Sequence, residues 1–232
     1  MRVFVGTSGW FYSWNPQRSL DWFIASSGLN AVELNASFYR FPFPNQVKSW
    51  AAKGRGLRWA VKVSRLVTHI HWLNQEGLTC WDRFFTLFAP LNQLVDFYLF
   101  QLPPRMGTEF RGRVAEFVKK SGLVQRFALE CRNEAWFSPE TTEWAKDLGI
   151  TLVSIDAPKF PKEIYNTSGL VYLRMHGRTG WYQHNYTRSE LQELVKKIRA
   201  AKPQGVYVFF NNDRDMLNNA RQMLKLFGKI DD

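Results

Sequence analysis

Eight short apolar runs punctuate the chain, at residues 3–7 (VFVGT), 31–35 (AVELN), 58–63 (RWAVKV), 97–101 (FYLFQ), 127–130 (FALE), 150–155 (ITLVSI), 170–175 (LVYLRM) and 206–210 (VYVFF). Most are rich in β-branched or aromatic residues and too short for helices, so they predict strands. Their near-continuous apolar character predicts strands buried on both faces, as in a parallel sheet. Between them, apolar residues recur at helical spacing. Leu20, Phe23 and Ile24 predict a helix stopped by Gly28, and Pro44 can start another through Gln46, Val47 and Trp50. An amphipathic helix is expected over 80–94, and a further one carries Phe110, Val114, Phe117 and Val118. Ser138 before Pro139 is a capping serine ahead of a first-turn proline, in a helix ended by Gly149. Thr187 with Glu190 makes a capping box before Leu191, Leu194, Val195 and Ile198. The last helix carries Met216, Ala220, Met223, Leu224 and Phe227. Residues 37–40 and 64–77 read as loops. The crossover 157–169 holds little helical pattern.

This alternation predicts an α/β fold, a single (β/α)8 TIM barrel spanning 1–232, with the sixth helix short or missing. A doubly wound open sheet is the alternative. It would carry a glycine-rich phosphate turn after the first strand, and Gly6-Thr7-Ser8-Gly9 lacks that spacing.

A barrel places its active site at the C-terminal ends of the strands, and the polar residues fall there in succession. Trp10 follows the first strand. Glu33 and Asn35 end the second, Lys62 the third and Gln101 the fourth. Glu130 and Arg132 end the fifth, Asp156 the sixth, Arg174 and His176 the seventh, and Asn211, Asn212 and Asp213 the eighth. Charged residues inside apolar runs are costly unless paired, so together they predict a pocket. The reading assigns catalysis to Glu33, Lys62, Glu130, Asp156 and His176, with the carboxylates as acid or base and His176 as a proton shuttle near neutral pH. Substrate binding is assigned to Trp10, Asn35, Tyr39, Gln101, Arg132, Trp136, Arg174, Arg178, Trp181, Tyr182, Tyr186, Asn211 and Asn212. Arg174 and His176 would form an inner ring, and Arg178, Trp181, Tyr182 and Tyr186 an outer lip. Trp14 and Trp72 are expected to roof the barrel, and His69 and His71 to lie in a surface loop.

Two further chemistries compete. Glu130, Asp156, His176 and Asp213 could build a divalent metal site, but Lys62, Arg132 and Arg174 would repel the cation, so no metal ligand is assigned. Lys62 could form a Schiff base if desolvated. An ion pair with a neighbouring carboxylate is the stronger expectation.

Charge sharpens the substrate class. The 232 residues carry a formal net charge of +11, and the aromatic fraction is 16%. That surplus suits an anionic partner, and rings interleaved with arginines suit a nucleotide or nucleic acid. Rings alone would fit a carbohydrate. Two distant cysteines make neither a disulfide framework nor a zinc pattern. Residues 1–7 are too short for a signal peptide, and no apolar run approaches the roughly 20 residues of a membrane span. A cytoplasmic protein without a membrane partner is expected.

The strand-end motifs GTSGWFYSW (6–14), VELNASFYR (32–40), AVKVSRLVTH (60–69), LFQLPP (99–104), ALECRNEAWF (128–137), YLRMHGRTGWY (172–182) and VFFNND (208–213) occur in this order. They resemble the domain of unknown function 72 family, also called YecE-like proteins. The resemblance implies a TIM barrel with its site at these positions and leaves the reaction open. Cys131 stands where the family usually has an aromatic residue, and the tail after Asn212-Asp213 is shorter than the resemblance leads one to expect. The combined expectation is an enzyme hydrolysing a phosphodiester or glycosidic bond in a nucleic acid or nucleotide. A carbohydrate or sugar-phosphate enzyme and a non-catalytic nucleic-acid-binding barrel are the alternatives.

Overall fold

The structure, a computed structural model, describes residues 1–228, so the last four residues of the expected 1–232 span lie outside the described residues. Eight parallel strands form a closed barrel in sequence order. In chain order the elements are β1 Arg2–Thr7, α1 Leu20–Ser26, β2 Ala31–Leu34, α2 Ala36–Tyr39, α3 Pro44–Lys53, β3 Arg58–Lys62, α4 Gln75–Leu87, β4 Val95–Gln101, α5 Arg111–Ser121, β5 Phe127–Glu130, α6 Pro139–Asp147, β6 Thr151–Asp156, β7 Leu170–Met175, α7 Arg188–Ala200, β8 Gly205–Phe210 and α8 Met216–Gly228. The barrel closes where β1 pairs with β8, from Arg2↔Gly205 to Thr7↔Phe210. At Gly6 a Cβ would stand 2.2 Å from the Ala31 carbonyl oxygen, so only glycine lets β1 lie this close to β2.

Alternation along the strands sorts side chains into two cores. Ala31, Ala60, Phe97, Leu99, Ala128, Val153, Ile155, Tyr172, Tyr207 and Phe209 form a cluster made of strand residues, which fills the barrel. Their sequence neighbours Val32, Val61, Tyr98, Leu129, Leu152, Leu173 and Val208 belong to the larger core shared with the helices. The same parity carries Glu33, Lys62, Gln101, Glu130 and Arg174 inward, one step above the apolar plug. Cys131 points outward and is buried in the larger core.

The capping signals hold at several starts. The Ser138 hydroxyl accepts from Thr141 N ahead of Pro139, and Thr187 with Glu190 forms the expected box. No helix occupies 157–169, as the weak pattern there predicts. The helix expected over 80–94 instead begins at Gln75, because the Asn74 side chain caps it at Gly77 N. It ends at Leu87, just before Pro90, which has no N–H to continue the ladder. The two stretches read as loops both contain helical turns. Residues Ala36–Tyr39 make one short α-turn, and Leu66–Ile70 a π-helical turn. Trp72 Nε1 donates to the His69 carbonyl at 2.9 Å and ties that turn down. Trp72 packs on Phe110, and Trp14 on Tyr12, Trp22 and Phe23. Among the described residues, no helix is long and apolar enough to cross a membrane.

Candidate functional site

Arg174 lies at the centre of the barrel mouth and is fully buried. Its Nε and Nη2 donate to the two oxygens of Glu33, at 2.9 and 2.6 Å, and its Nη1 donates to Glu130 Oε2 at 2.5 Å. Glu33 also accepts from the Ser8 hydroxyl at 2.9 Å and the Tyr172 hydroxyl at 2.6 Å. Glu130 Oε1 accepts from Gln101 Nε2 at 2.8 Å and from Arg132 Nε. Burial alone would disfavour the Glu130 anion, but Arg132 and Arg174 outweigh it and hold the carboxyl well below its usual range. Glu130 is therefore held as an anion, and the donors around both carboxylates commit them to structure. The acid–base role expected of Glu33 and Glu130 is not what this geometry favours: neither has an exposed atom to offer a substrate.

Lys62 is left over. Because Arg174 and Arg132 occupy the carboxylates, the expected ion pair of Lys62 does not form. Its Nζ sits 4.2 Å from the centroid of the Phe38 ring. No described residue accepts a hydrogen bond from it or pairs with it as a carboxylate. Burial first, and the Arg174 charge next, push the ammonium down to about 7, against the opposing pull of Glu130 and Glu33. The Ser37 hydroxyl bridges the Leu34 and Lys62 carbonyl oxygens at 2.9 and 2.6 Å, which fixes α2 and its Phe38 against the lysine.

His176 is also buried. Its Nε2 lies 3.1 Å from Arg132 Nη2 and its Nδ1 3.2 Å from the Asn211 side-chain nitrogen. Arginine can only donate, so Nε2 accepts and the ring is neutral, with its hydrogen on Nδ1. The Asn211 amide satisfies that hydrogen when its oxygen faces the ring. Burial and the nearby Arg174 push the imidazolium down to about 3. A shuttle titrating near neutral pH, as the sequence suggested, is thus replaced by a neutral acceptor that orients Arg132.

Above these residues a cavity of about 250 Å³ opens at the mouth. Lys62, Arg65, Arg132 and Arg174 all reach it, and none of its lining residues is a carboxylate. Gln101, His176 and Asn211 line it as well. On its rim stand Tyr39, 73% exposed, and Tyr182, 39% exposed. Arg132 is held from below by the Trp181 ring, 4.6 Å from its guanidinium carbon.

Several predicted site residues lie elsewhere. Asp156 shares strand parity with Leu152 and points away from the barrel axis. It is 1% exposed and binds Arg178 Nε at 3.0 Å and the Tyr186 hydroxyl at 2.8 Å. Tyr186 is buried and also accepts from Gly177 N, so it is a wall of the β7–α7 loop and no lip. Arg178 is turned toward Glu193 and Glu190. Asn212 is spent on the His184 carbonyl and Asn219. Trp136 is buried, with Nε1 donating to the Met106 carbonyl at 2.7 Å. Trp10 packs edge-on against Trp50 and Trp59. Asn35 touches Arg174 at 3.3 Å, behind the cavity wall. Conversely, Phe38, Arg65, His69 and Ile70 line the cavity without having been assigned to it. His69 belongs to this wall and not to a surface loop. Burial, Lys62 and Arg65 push its ring down to about 4. The motif AVKVSRLVTH contained the signal, since the π-helical turn follows directly on the strand that ends in Lys62.

A divalent cation does not suit this mouth. Its carboxylates are already bound by guanidinium groups, and among the described residues no cluster of three His, Cys, Asp or Glu side chains could hold an ion.

The family model for the protein of unknown function DUF72 matches residues 4–231. This chain belongs to the DUF72 family. The UPF0759 protein YunF of Bacillus subtilis (strain 168) is 26% identical over 269 residues, covering 97% of this chain and 94% of YunF. A DUF72 family crystal structure from Thermotoga maritima MSB8 is 27% identical with a TM-score of 0.84, over 99% of this chain and all of that one. A second, from Enterococcus faecalis V583, is 22% identical with a TM-score of 0.83, over 99% and 97%. This DUF72 chain thus shares a TIM-like barrel with both along essentially its whole length.

Proposed function

We propose that this DUF72 protein is an enzyme acting on a phosphate-bearing substrate, with the anion held in the cationic mouth of the barrel and Lys62 as the reactive group. The carrying observation is the convergence of Lys62, Arg65, Arg132 and Arg174 on a cavity whose lining contains no carboxylate. Glu33 and Glu130 balance Arg174 and Arg132, so the surplus positive charge of the cavity is that of Arg65 and of Lys62 when it is protonated. Arg132 is pre-aimed by Glu130, His176 and Trp181, so it binds an anion with little loss of side-chain freedom. Tyr39 and Tyr182 on the rim suit a base or sugar ring attached to that phosphate. A nucleotide, a sugar phosphate or a phosphorylated nucleic-acid end shares this chemistry.

The geometry favours an amine over the carboxylates as the working base or nucleophile. Hydrolysis by a pair of strand-end carboxylates is the weaker reading, because Glu33 and Glu130 are saturated and Asp156 faces outward. Calorimetric titration with inorganic phosphate, a nucleoside monophosphate and the parent nucleoside tests the proposal. The phosphorylated compounds are expected to bind competitively, the nucleoside at least about tenfold more weakly. Lys62→Met and Arg132→Met should each weaken phosphate binding by a similar factor. Binding that is absent, or unchanged in both variants, overturns it.

A further inference from the structure

The environment of Lys62 goes beyond anion binding, and resting on the phosphate-site reading it narrows the substrate further. We propose that Lys62 is an imine-forming amine, and that its partner is an aldehyde or ketone carrying a phosphate on the same small molecule.

Three observations converge on this. First, Lys62 is only 8% exposed yet lines an open cavity, so it is largely desolvated and still reachable. Second, no described residue accepts a hydrogen bond from it. A lysine serving only to bind an anion or brace a barrel is ordinarily met by a carboxylate or carbonyl oxygen, and here Glu33 and Glu130 are occupied by other donors. Third, its neighbours oppose its charge. Arg174 and Arg132 repel the ammonium, and the opposing Glu130 and Glu33 are largely neutralised by those same guanidinium groups. His69 beside it is neutral. The Phe38 ring, which favours the ammonium, is the counterweight. A lysine beside cations in a partly apolar site is the arrangement that yields a nucleophilic amine.

The step balances without a co-reactant. The Nζ lone pair attacks the carbonyl carbon. The former carbonyl oxygen leaves as water with the two amine hydrogens, solvent at the mouth relaying the protons, and a C=N bond remains. Arg65, which pairs with no described carboxylate, and the Nη1 of Arg132, whose Nε and Nη2 are engaged by Glu130 and His176, can hold the phosphate during the exchange.

Pyridoxal 5′-phosphate combines an aldehyde, a ring and a phosphate and serves as the probe, with dihydroxyacetone phosphate as a ring-free second. The wild-type protein is incubated with each probe, reduced with borohydride and mapped by peptide mass spectrometry. Reduction adds hydride to the imine carbon and fixes the adduct. The expected result is one dominant adduct on Lys62 at substoichiometric probe, suppressed at least tenfold by excess inorganic phosphate and at least tenfold weaker with unphosphorylated pyridoxal. Adducts spread over surface lysines without preference for Lys62 overturn the proposal. So does a Lys62 adduct indifferent to phosphate. Phosphate binding measured by calorimetry without any Lys62 adduct refutes the imine and leaves the binding site standing. Because the mapping uses the unaltered protein, the folding of a variant does not enter.

Discussion

Lys62 is the residue whose protonation the fold opposes most usefully. A shift from 10.5 to about 7 corresponds to roughly 5 kcal/mol against the buried ammonium. The sign follows from linkage: below pH 7 both folded and unfolded chains carry the charge, and the folded state bears the whole cost. Between about 7 and 10.5 the folded amine is neutral while the unfolded one is charged, so the cost fades as pH rises. Lys62→Met, which keeps the apolar stem, is therefore expected to stabilise the protein by roughly 2–4 kcal/mol below pH 7. The gain should vanish toward pH 10.5. Denaturant titrations at several pH values would show it, and a pH-independent gain or a loss would refute the assignment. Lys62 also marks where sequence reading stops at this scale. Its position at a strand end was legible, because a charge in an apolar run stands out. Its lack of a partner was not, because that depends on Glu33 meeting Arg174 across 141 residues of chain. Asp156 failed for a nearer reason. The inward parity of β6 runs through Val153 and Ile155, and a strand-end carboxylate on the opposite parity cannot reach the axis.

At the scale of elements, the strands and most helices were legible from apolar runs and caps. The turns were less so. Asn74 begins α4 five residues before the first residue expected, because a side-chain cap outranks the start of the apolar stripe. The π-helical turn Leu66–Ile70 follows no simple period, yet it delivers His69 and Ile70 to the cavity. The β7–α7 loop is fixed in a different way. Gly177 has φ 107°, and a Cβ there would stand 2.5 Å from the Gly180 carbonyl oxygen and 2.9 Å from His184 Cβ. The loop it allows places Tyr182 N on the His176 carbonyl at 2.7 Å and Tyr186 on Asp156. Gly177→Ala is expected to cost roughly 2–4 kcal/mol through the clash and the strained backbone. It should also weaken phosphate binding, since His176 and Tyr182 line the cavity. Unfolding curves and calorimetry on the same preparation check both; wild-type behaviour in either would show that the loop adapts.

For the molecule as a whole, the net charge of +11 surrounds a cationic mouth, so association with phosphorylated ligands should be salt-sensitive. Raising salt from about 0.05 to about 0.5 M is expected to weaken nucleotide binding by roughly tenfold. The weak binding of an uncharged nucleoside should stay nearly constant. Equal salt responses would place the affinity in the rings instead of the charges. The buried guanidinium bridge has a different consequence, in the order of events during folding. Arg174 joins β7 to Glu33 and Glu130 over separations of 141 and 44 residues. Such distant partners meet only once the barrel is nearly closed, so the bridge contributes late along the folding route. Glu130→Gln leaves part of a buried charge unmatched, at a cost of roughly 3 kcal/mol. That loss is expected to appear almost wholly as unfolding accelerated roughly 100-fold, with the refolding rate little changed. Stopped-flow measurements of both limbs would decide it, and slowed refolding would mean the bridge forms early. A latch that closes last sets how long the closed barrel survives, while the apolar strands that precede it set how quickly the barrel is reached.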